Sequence, residues 1–377
     1  MNFGCRLVVL PAATIALVAC TSDPGAPAAE PPKPSSLSVI ASEQDVALTN
    51  GDWVKKIPEL SGSEGVTRGD AVPFGTDTLA VLFKDKIAVV GEDGTKATAD
   101  CAECAGLAIS NGSLVTTRTN LEPGGGFDLV FHSTGLEVER VVPARRLTER
   151  GEPGVPAEND ASPETMAADD ESVVVGYLSR IGGVRRGPSI IAKYSLDGTL
   201  LESVSVDGIL GLSSASADQR YLAVGVGGSG GACITASDFR VVDLETMTEL
   251  DTEPAIPIAA IKTNTGLSGR WFNLRDVSWW KGAPRAVGQV FDPGEASCDD
   301  HPTSWLRGFD VTTETFDDKP AGTPPVARWT GPDCDDLVGV EFGPEDDQVV
   351  SIIGGKRKLL ESYTGIIYGP QRPDSCR

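Results

Sequence analysis

The sequence predicts an all-β protein whose strands form a single β-propeller. Two observations predict this fold class. Apolar and polar residues alternate with a period of two along most of the chain, whereas convincing amphipathic helical patterns are nearly absent. In addition, one unit recurs, in which a β-branched strand ends in a polar tight turn and passes into a second strand. A recurring unit of this kind is typical of a repeat architecture.

The recurring unit occurs six times. Its copies lie at residues 86–95, 127–136, 189–199, 239–247, 306–314 and 359–367. Each copy is preceded by an apolar strand and then by a clearer one, which lies at 77–83, 113–117, 172–178, 220–226, 285–291 and 347–352. Four strands per unit predict a propeller of six four-stranded blades. The alternative is a pair of β-sandwiches, which also consist of alternating strands with turns about every 8 to 12 residues.

The N-terminal segment has the pattern of an export signal. Residues 7–19 are mostly apolar and follow Arg6, but they are too short to cross a bilayer, which takes about 20 apolar residues. We therefore predict a signal peptide at 1–19. Residues 20–36, rich in Pro, Ala and Ser, are predicted to be a disordered tether, and 37–377 are predicted to be the propeller domain.

Leu17-Val18-Ala19-Cys20 resembles the lipobox of bacterial lipoproteins. In that family the cysteine is diacylated and becomes the new N-terminus, so the resemblance implies lipid attachment at Cys20. Two or more acyl chains hold a protein firmly on a membrane, whereas one chain holds it marginally. The resemblance thus implies an exported protein, anchored to the bacterial membrane and facing outside the cytoplasm. The alternative is an ordinary signal peptide cut nearby, with Cys20 lost or unmodified.

SADQRYLAVG at 216–225, followed by FRVVDLETM, resembles the blade motif of WD40-like and TolB-like bacterial propellers. The match covers about one blade well and the others loosely. It implies a fold and no particular function.

The unequal spacing of the units predicts which face of the propeller is elaborated. With strands a to d counted outward in each blade, b-to-c connections and d-to-a links lie at one end of the strands, which we call the loop-rich face. The long insertions predicted to lie there are 143–163, 179–188, 227–236, 251–275, 292–303 and 318–336. Because propellers use the face that they elaborate, we expect recognition at this face.

Six cysteines beyond Cys5 and Cys20 are disulfide candidates: Cys101, Cys104, Cys233, Cys298, Cys334 and Cys376. An even number in an exported chain indicates disulfides, although six cysteines allow 15 pairings. All six map to the predicted loop-rich face. The geometry of adjacent blades favours pairing Cys101 with Cys104, Cys233 with Cys298, and Cys334 with Cys376.

Composition excludes several functions. The 32 Lys and Arg against 54 Asp and Glu give a net charge of −22, so a nucleic acid is not an expected partner. The two histidines, His132 and His301, leave little material for histidine-based catalysis or a zinc site. We therefore assign no catalytic, metal or cofactor-binding residues, and we expect no cofactor.

Two short motifs favour structural roles. CAEC at 101–104 is a C-x-x-C motif, but redox chemistry of the thioredoxin type needs a helix N-terminus, and here a strand follows. GGSGG at 227–231 matches the nucleophile elbow of α/β-hydrolases, which needs a following helix. We interpret the first as a disulfide and the second as a flexible loop.

Three further groups are candidate binding residues. The tripeptides Cys298-Asp299-Asp300, followed by His301, and Cys334-Asp335-Asp336 offer carboxylates for Ca²⁺, although paired aspartates mostly lie in solvated turns. The arginine cluster contains Arg145, Arg146, Arg150, Arg185 and Arg186, which suit an anionic glycan or acidic partner, or balance local charge. Trp271, Trp279, Trp280 and Trp305 offer stacking surfaces for sugars, or core packing.

The favoured function is a binding or scaffold lipoprotein, monomeric, that presents the loop-rich face to a protein or polysaccharide. The alternative is a propeller enzyme, a lyase or hydrolase acting on extracellular carbohydrate. Glycosidases use two carboxylates at a set separation, and this acidic chain has too many Asp and Glu residues for one pair to be chosen.

Overall fold

The computed structural model describes residues 36–42, 45–60, 70–75, 77–120, 126–146, 163–178, 188–216, 218–229, 235–250, 271–280, 283–291, 304–305, 309–310, 315–316, 326–330, 333, 335–341, 348–362 and 366–369. The chain divides into two compact units, Met1–Lys33 and Pro34–Arg377, and every described residue belongs to the second. Within the described residues no helix is long and apolar enough to span a membrane.

The described residues are strands joined by turns, with one 3₁₀ turn at Pro58–Leu60. The strands are β1 Ser38–Ala41, β2 Val46–Thr49, β3 Val54–Lys56, β4 Asp70–Pro73, β5 Thr78–Phe83, β6 Lys86–Gly91, β7 Gly94–Asp100, β8 Cys104–Ser110, β9 Ser113–Asn120, β10 Gly126–His132, β11 Val138–Arg145, β12 Glu164–Ala168, β13 Ser172–Leu178, β14 Ser189–Ser195, β15 Leu200–Val206, β16 Ile209–Ala215, β17 Tyr221–Ser229, β18 Thr235–Asp243, β19 Thr248–Glu249, β20 Trp271–Trp280, β21 Ala283–Phe291, β22 Ser304–Trp305, β23 Phe309–Asp310, β24 Thr315–Phe316, β25 Val326–Trp329, β26 Leu337–Glu341, β27 Gln348–Ile353, β28 Lys356–Ser362 and β29 Ile366–Tyr368.

These strands form seven four-stranded antiparallel units, which we number as blades. Blade 1 has the order β29-β1-β2-β3, and blade 2 has the order β4-β5-β6-β7. Blades 3, 4 and 5 are β8 to β11, β12 to β15 and β16 to β19. Blade 6 is β20-β21-β23-β24, with β22 also paired to β21, and blade 7 is β25 to β28. Blades 3 and 4 join into one eight-stranded sheet through a parallel pairing of Gly106 with Thr165.

The predicted count of six blades is not confirmed, because the described strands form seven units. The first five predicted strand-turn-strand units correspond to the two outer strands of blades 2 to 6. The sixth, at 359–367, instead joins β28 of blade 7 to β29 of blade 1. Blade 1 therefore combines three N-terminal strands with one C-terminal strand, a pairing that no local pattern reveals.

The inner strands follow one another in a ring. Contacts join β29 to β4, β4 to β8, β8 to β12, β12 to β16, β16 to β20 and β25 to β29. Between β20 and β25, the buried ion pair of Asp276 and Arg328 completes the circuit. This cyclic order is that of a β-propeller and not of two sandwiches, so the all-β propeller class is confirmed.

The core lies between neighbouring blades and not in one central cluster. Val39 and Leu48 of blade 1 pack with Leu79 and Val81 of blade 2. Comparable clusters join blades 2 and 3, blades 3 and 4, blades 4 and 5, and blades 7 and 1. Both faces of these sheets are therefore buried, as the β-branched and apolar runs in the inner strands require.

The two faces of the propeller differ in their connections. The a-to-b and c-to-d turns lie at one end, which we call the short-turn face, and their longest member is 330–336. Asn111 and Gly112, for example, join β8 to β9 with φ values of 49° and 77°, as an Asn-Gly hairpin turn requires. The long connections join strands that end at the loop-rich face and include 57–69, 146–163, 179–188, 250–270, 292–303 and 317–325.

Some predicted loop positions are wrong. Residues 227–236 were predicted to be a long b-to-c connection, but β17 ends at Ser229 and β18 begins at Thr235. Residues 318–336 were predicted to be a single d-to-a link, but β25 interrupts them, and 330–336 joins strand a to strand b of blade 7. The Asp336 carboxylate accepts a hydrogen bond of 2.8 Å from the Gly354 amide in the β27–β28 turn. This bond places 330–336 at the short-turn face.

Candidate binding face

The loop-rich face is the candidate functional surface, and its described residues are mainly strand ends and short links. The link between β7 and β8 contains Cys101 and Cys104, which lie within disulfide-bonding distance, with Cα atoms 5.5 Å apart. The Cys101 amide donates to the Asp85 carbonyl at 2.6 Å, which ties this link to the β5–β6 turn. No helix begins at this pair, because Cys104 is the first residue of β8. The geometry therefore fits a crosslink better than a thioredoxin-type redox pair.

Arg145 and Arg146 end β11 at the loop-rich face, but their side chains lie in different surroundings. Arg145 is exposed, whereas Arg146 is only 2 % exposed. The Arg146 guanidinium carbon lies 5.4 Å from the centroid of the Tyr177 ring, which is a cation–π distance. Arg146 therefore packs between blades 3 and 4, and of these two only Arg145 is available to an acidic ligand. Arg150, Arg185 and Arg186 lie outside the described residues.

Two tyrosines support Arg146 from below. The Tyr177 and Tyr194 hydroxyls lie 3.1 Å apart, and the Tyr194 hydroxyl donates to the Arg145 carbonyl at 2.6 Å. Burial raises the pKa of Tyr194, so its hydroxyl stays neutral. The edge of Phe127 packs against the same ring, with centroids 5.3 Å apart. These contacts form a rigid support beneath the loop-rich face, and the neutral Tyr194 hydroxyl is not a catalytic base.

The two CDD tripeptides are not both at the loop-rich face, which corrects their predicted placement on one face. Asp335 and Asp336 lie in the 330–336 turn at the short-turn face, and the Asp336 carboxylate stabilises a neighbouring turn. Cys298, Asp299, Asp300 and His301 lie outside the described residues, in the connection that follows β21. Within the part of the chain that the structure describes, no group of three His, Cys, Asp or Glu side chains is placed to hold a metal ion.

Two of the six mapped cysteines, Cys101 and Cys104, lie within the described residues. Asp333 and Asp335, the described neighbours of Cys334, lie at the short-turn face, whereas this stretch was predicted to lie at the loop-rich face. Cys20, Cys233, Cys298, Cys334 and Cys376 themselves lie outside the described residues. Lipid attachment at Cys20 and the two longer-range pairings remain predictions.

The tryptophan and glycine motifs have structural positions. Trp279 is 8 % exposed, its indole Nε1 donates to the Ser214 carbonyl at 2.8 Å, and its ring stacks on Tyr221 with centroids 6.3 Å apart. Trp279 therefore packs in the core and is not an exposed stacking surface. The side chains of Trp271, Trp280 and Trp305 lie outside the described residues. In GGSGG, Gly227 to Ser229 belong to β17, and the next element is the strand β18, so no nucleophile elbow forms.

Two buried polar features were not predicted from the sequence. Asp276 and Arg328 form a two-point ion pair, with distances of 2.6 and 3.0 Å, although 52 residues separate them. His132 is 1 % exposed, so its imidazole ring is shielded from solvent. Burial lowers the pKa of His132, which keeps the ring neutral. Its position at the end of β10, beside the short-turn face, gives it no access to a ligand at the loop-rich face.

No protein-family model matches the chain, and no curated protein matches it. Several solved structures are similar in fold. The dihydro-heme d1 dehydrogenase NirN is 15 % identical, with 90 % of this chain and 76 % of that one covered and a TM-score of 0.46. The Dos1 propeller is 10 % identical, with 87 % of this chain and 91 % of that one covered and a TM-score of 0.44. TolB from Acinetobacter baumannii is 12 % identical, with 88 % of this chain and 65 % of that one covered and a TM-score of 0.39. At these values the similarities transfer no activity to this chain.

Proposed function

We propose that this protein is a membrane-anchored lipoprotein whose propeller binds a protein or polysaccharide through its loop-rich face. One observation carries the binding proposal: the long connections attach to one end of the strands, whereas the other end is made of short turns. Binding residues concentrate on loops that a rigid scaffold positions. The buried contacts of Arg146, Tyr177 and Tyr194 supply such a scaffold beneath the exposed Arg145.

The anchor is supported by the lipobox resemblance at Leu17 to Cys20. Mass spectrometry of the mature N-terminal peptide tests it directly. A diacylated cysteine at position 20 is the expected result. An unmodified peptide that begins at or after residue 20 would contradict the anchor and leave the binding proposal standing.

Binding is tested by capture from envelope extract with the purified mature chain, followed by direct titration of the identified partner. The test variant is Arg185→Glu with Arg186→Glu in the connection that follows β13. The matched control reverses two exposed charges in a short turn, Glu92→Arg with Asp93→Arg. We expect the first variant to lose affinity and the second to bind as the parent does. Equal affinity in both variants, or turnover of a glycan panel by the purified protein, would overturn the assignment.

A further inference from the structure

The first described strand, β1, begins at the short-turn face. β1 runs antiparallel to the inner strand β29, with Val39 opposite Tyr368 and Ala41 opposite Ile366. Because inner strands run from the loop-rich face to the short-turn face, β1 runs the other way and Ser38 is at the short-turn end. Ser36 and Leu37, the described residues before β1, therefore lie at that end of the strand.

Hydrogen bonds fix this entry point. The Thr330 hydroxyl lies 2.8 Å from the Ser36 carbonyl and 2.7 Å from the Asn50 carbonyl. Thr330 follows β25, and Asn50 follows β2, so both belong to turns of the short-turn face. Leu37 is only 3 % exposed, which holds the chain against the propeller up to residue 36. The position at which a tether leaves the domain is thus defined by the fold.

The short-turn face is also acidic. Exposed carboxylates in its turns are Asp52, Asp77, Glu92, Asp93, Asp169, Asp170, Glu171, Asp197, Asp218, Glu245, Asp333 and Asp335. Among the described residues, Arg220 and Arg357 are exposed cations at this face, and each pairs with a carboxylate. Anionic headgroups would repel this surface over roughly 8 Å at physiological salt.

We infer that the short-turn face is turned toward the membrane and stands off from it, while the loop-rich face points away and is open to a partner. This inference rests on the proposed lipid anchor. A Pro-rich tether of the length predicted for 20–36 would be long enough to keep the two apart, since such a chain extends about 3.1 Å per residue. A ligand for the loop-rich face would then be a soluble or cell-surface molecule and not a lipid of the anchoring membrane.

The two ends of β15 provide a matched test. Thr199 precedes this strand at the short-turn face and Asp207 follows it at the loop-rich face, and both are exposed. Seven residues of strand place these positions about 25 Å apart. A donor dye is attached through an azide-bearing amino acid at either position of the full lipidated chain, which is reconstituted into vesicles that carry acceptor-labelled headgroups.

Energy transfer should be more efficient from position 199 than from position 207. Equal transfer, or more efficient transfer from 207, would overturn the orientation. Flotation of the Cys20→Ala chain with the vesicles would overturn the anchor. A second arm captures the mature chain, with a histidine tag in place of Cys20, on nickel-chelating vesicles, so that the orientation is tested even if the native anchor fails. Binding of the untagged, unlipidated chain to phosphatidylglycerol vesicles would contradict the claim that anionic headgroups repel the short-turn face.

Discussion

Gly106 is the residue at which substitution should show most directly how blades 3 and 4 are joined. Its φ of +70° lies in the left-handed region, and its partner across the β8–β12 junction is Thr165. A Cβ atom at Gly106 would lie 2.6 Å from the Thr165 amide nitrogen and 2.8 Å from its carbonyl carbon, with the carbonyl oxygen closer still. Because these are backbone atoms, the new methyl group can be accommodated only if β8 and β12 move apart.

Gly112 is the matched control, since its φ is +77° and a Cβ atom there would meet no atom within 4 Å. Alanine at positive φ costs about 1–2 kcal/mol at either position. The overlap at Gly106 adds about 1–3 kcal/mol, as overpacking does in a protein core. We therefore expect a loss of about 2–5 kcal/mol for Gly106→Ala and about 1–2 kcal/mol for Gly112→Ala.

Urea denaturation of the purified mature chain measures both losses as changes in the free energy of unfolding. Equal losses in the two variants would refute the close approach of β8 to β12. A loss confined to Gly112→Ala would refute it as well.

Other contacts give further predictions. Asp276→Ala removes the carboxylate that pairs with the buried Arg328 guanidinium, so the free energy of unfolding should fall by about 3–5 kcal/mol, and adding Arg328→Met should restore part of the loss. Full additivity of the two losses in denaturation experiments would contradict the pairing. Burial lowers the pKa of His132 from an ordinary value of 6.5, so the unfolded state binds more protons below that pH. The free energy of unfolding should therefore decrease from pH 6.5 toward pH 5 by at most about 1.4 kcal/mol per pH unit. The variant His132→Leu should reduce that slope. An unchanged slope in the variant would show that His132 does not titrate in this way. Replacing Cys101 and Cys104 with serine should cost at most about 2 kcal/mol, because the closed loop is short, and a reductant should then have no additional effect through this pair.

The strand pattern of blades 2 to 6 was accessible to sequence analysis because their strands follow one another along the chain. In β5, β9 and β13 the apolar runs are buried on both faces, and the turn that ends each outer hairpin contains the expected residues. Blade 7 shows where this approach failed. The strand at 348–353 is the third of its blade and not the second, because the short β25 at 326–329 was not distinguished from a loop.

The candidate site shows the same division. The C-x-x-C pair was found because its residues are close in sequence, and the geometry of Cys101 and Cys104 fits a disulfide. By contrast, the paired aspartates at 335–336 were placed on the wrong face, because the preceding strand β25 had been predicted to be part of a loop. Arg146 was predicted to be a surface charge and is buried beside Tyr177, a contact that depends on the packing of blade 3 against blade 4.

The all-β class, the four-stranded grouping of most blades, and the clustering of long connections at one end of the strands were predictable from local sequence patterns. The alternation of apolar and polar side chains and the residues of tight turns are local properties, which depend only on residues that are neighbours in the sequence. Three features became visible only in the folded protein: β29 pairs with β1, Asp276 pairs with Arg328, and β1 begins at the short-turn face. These features depend on closure of the ring, which brings together residues far apart in the sequence.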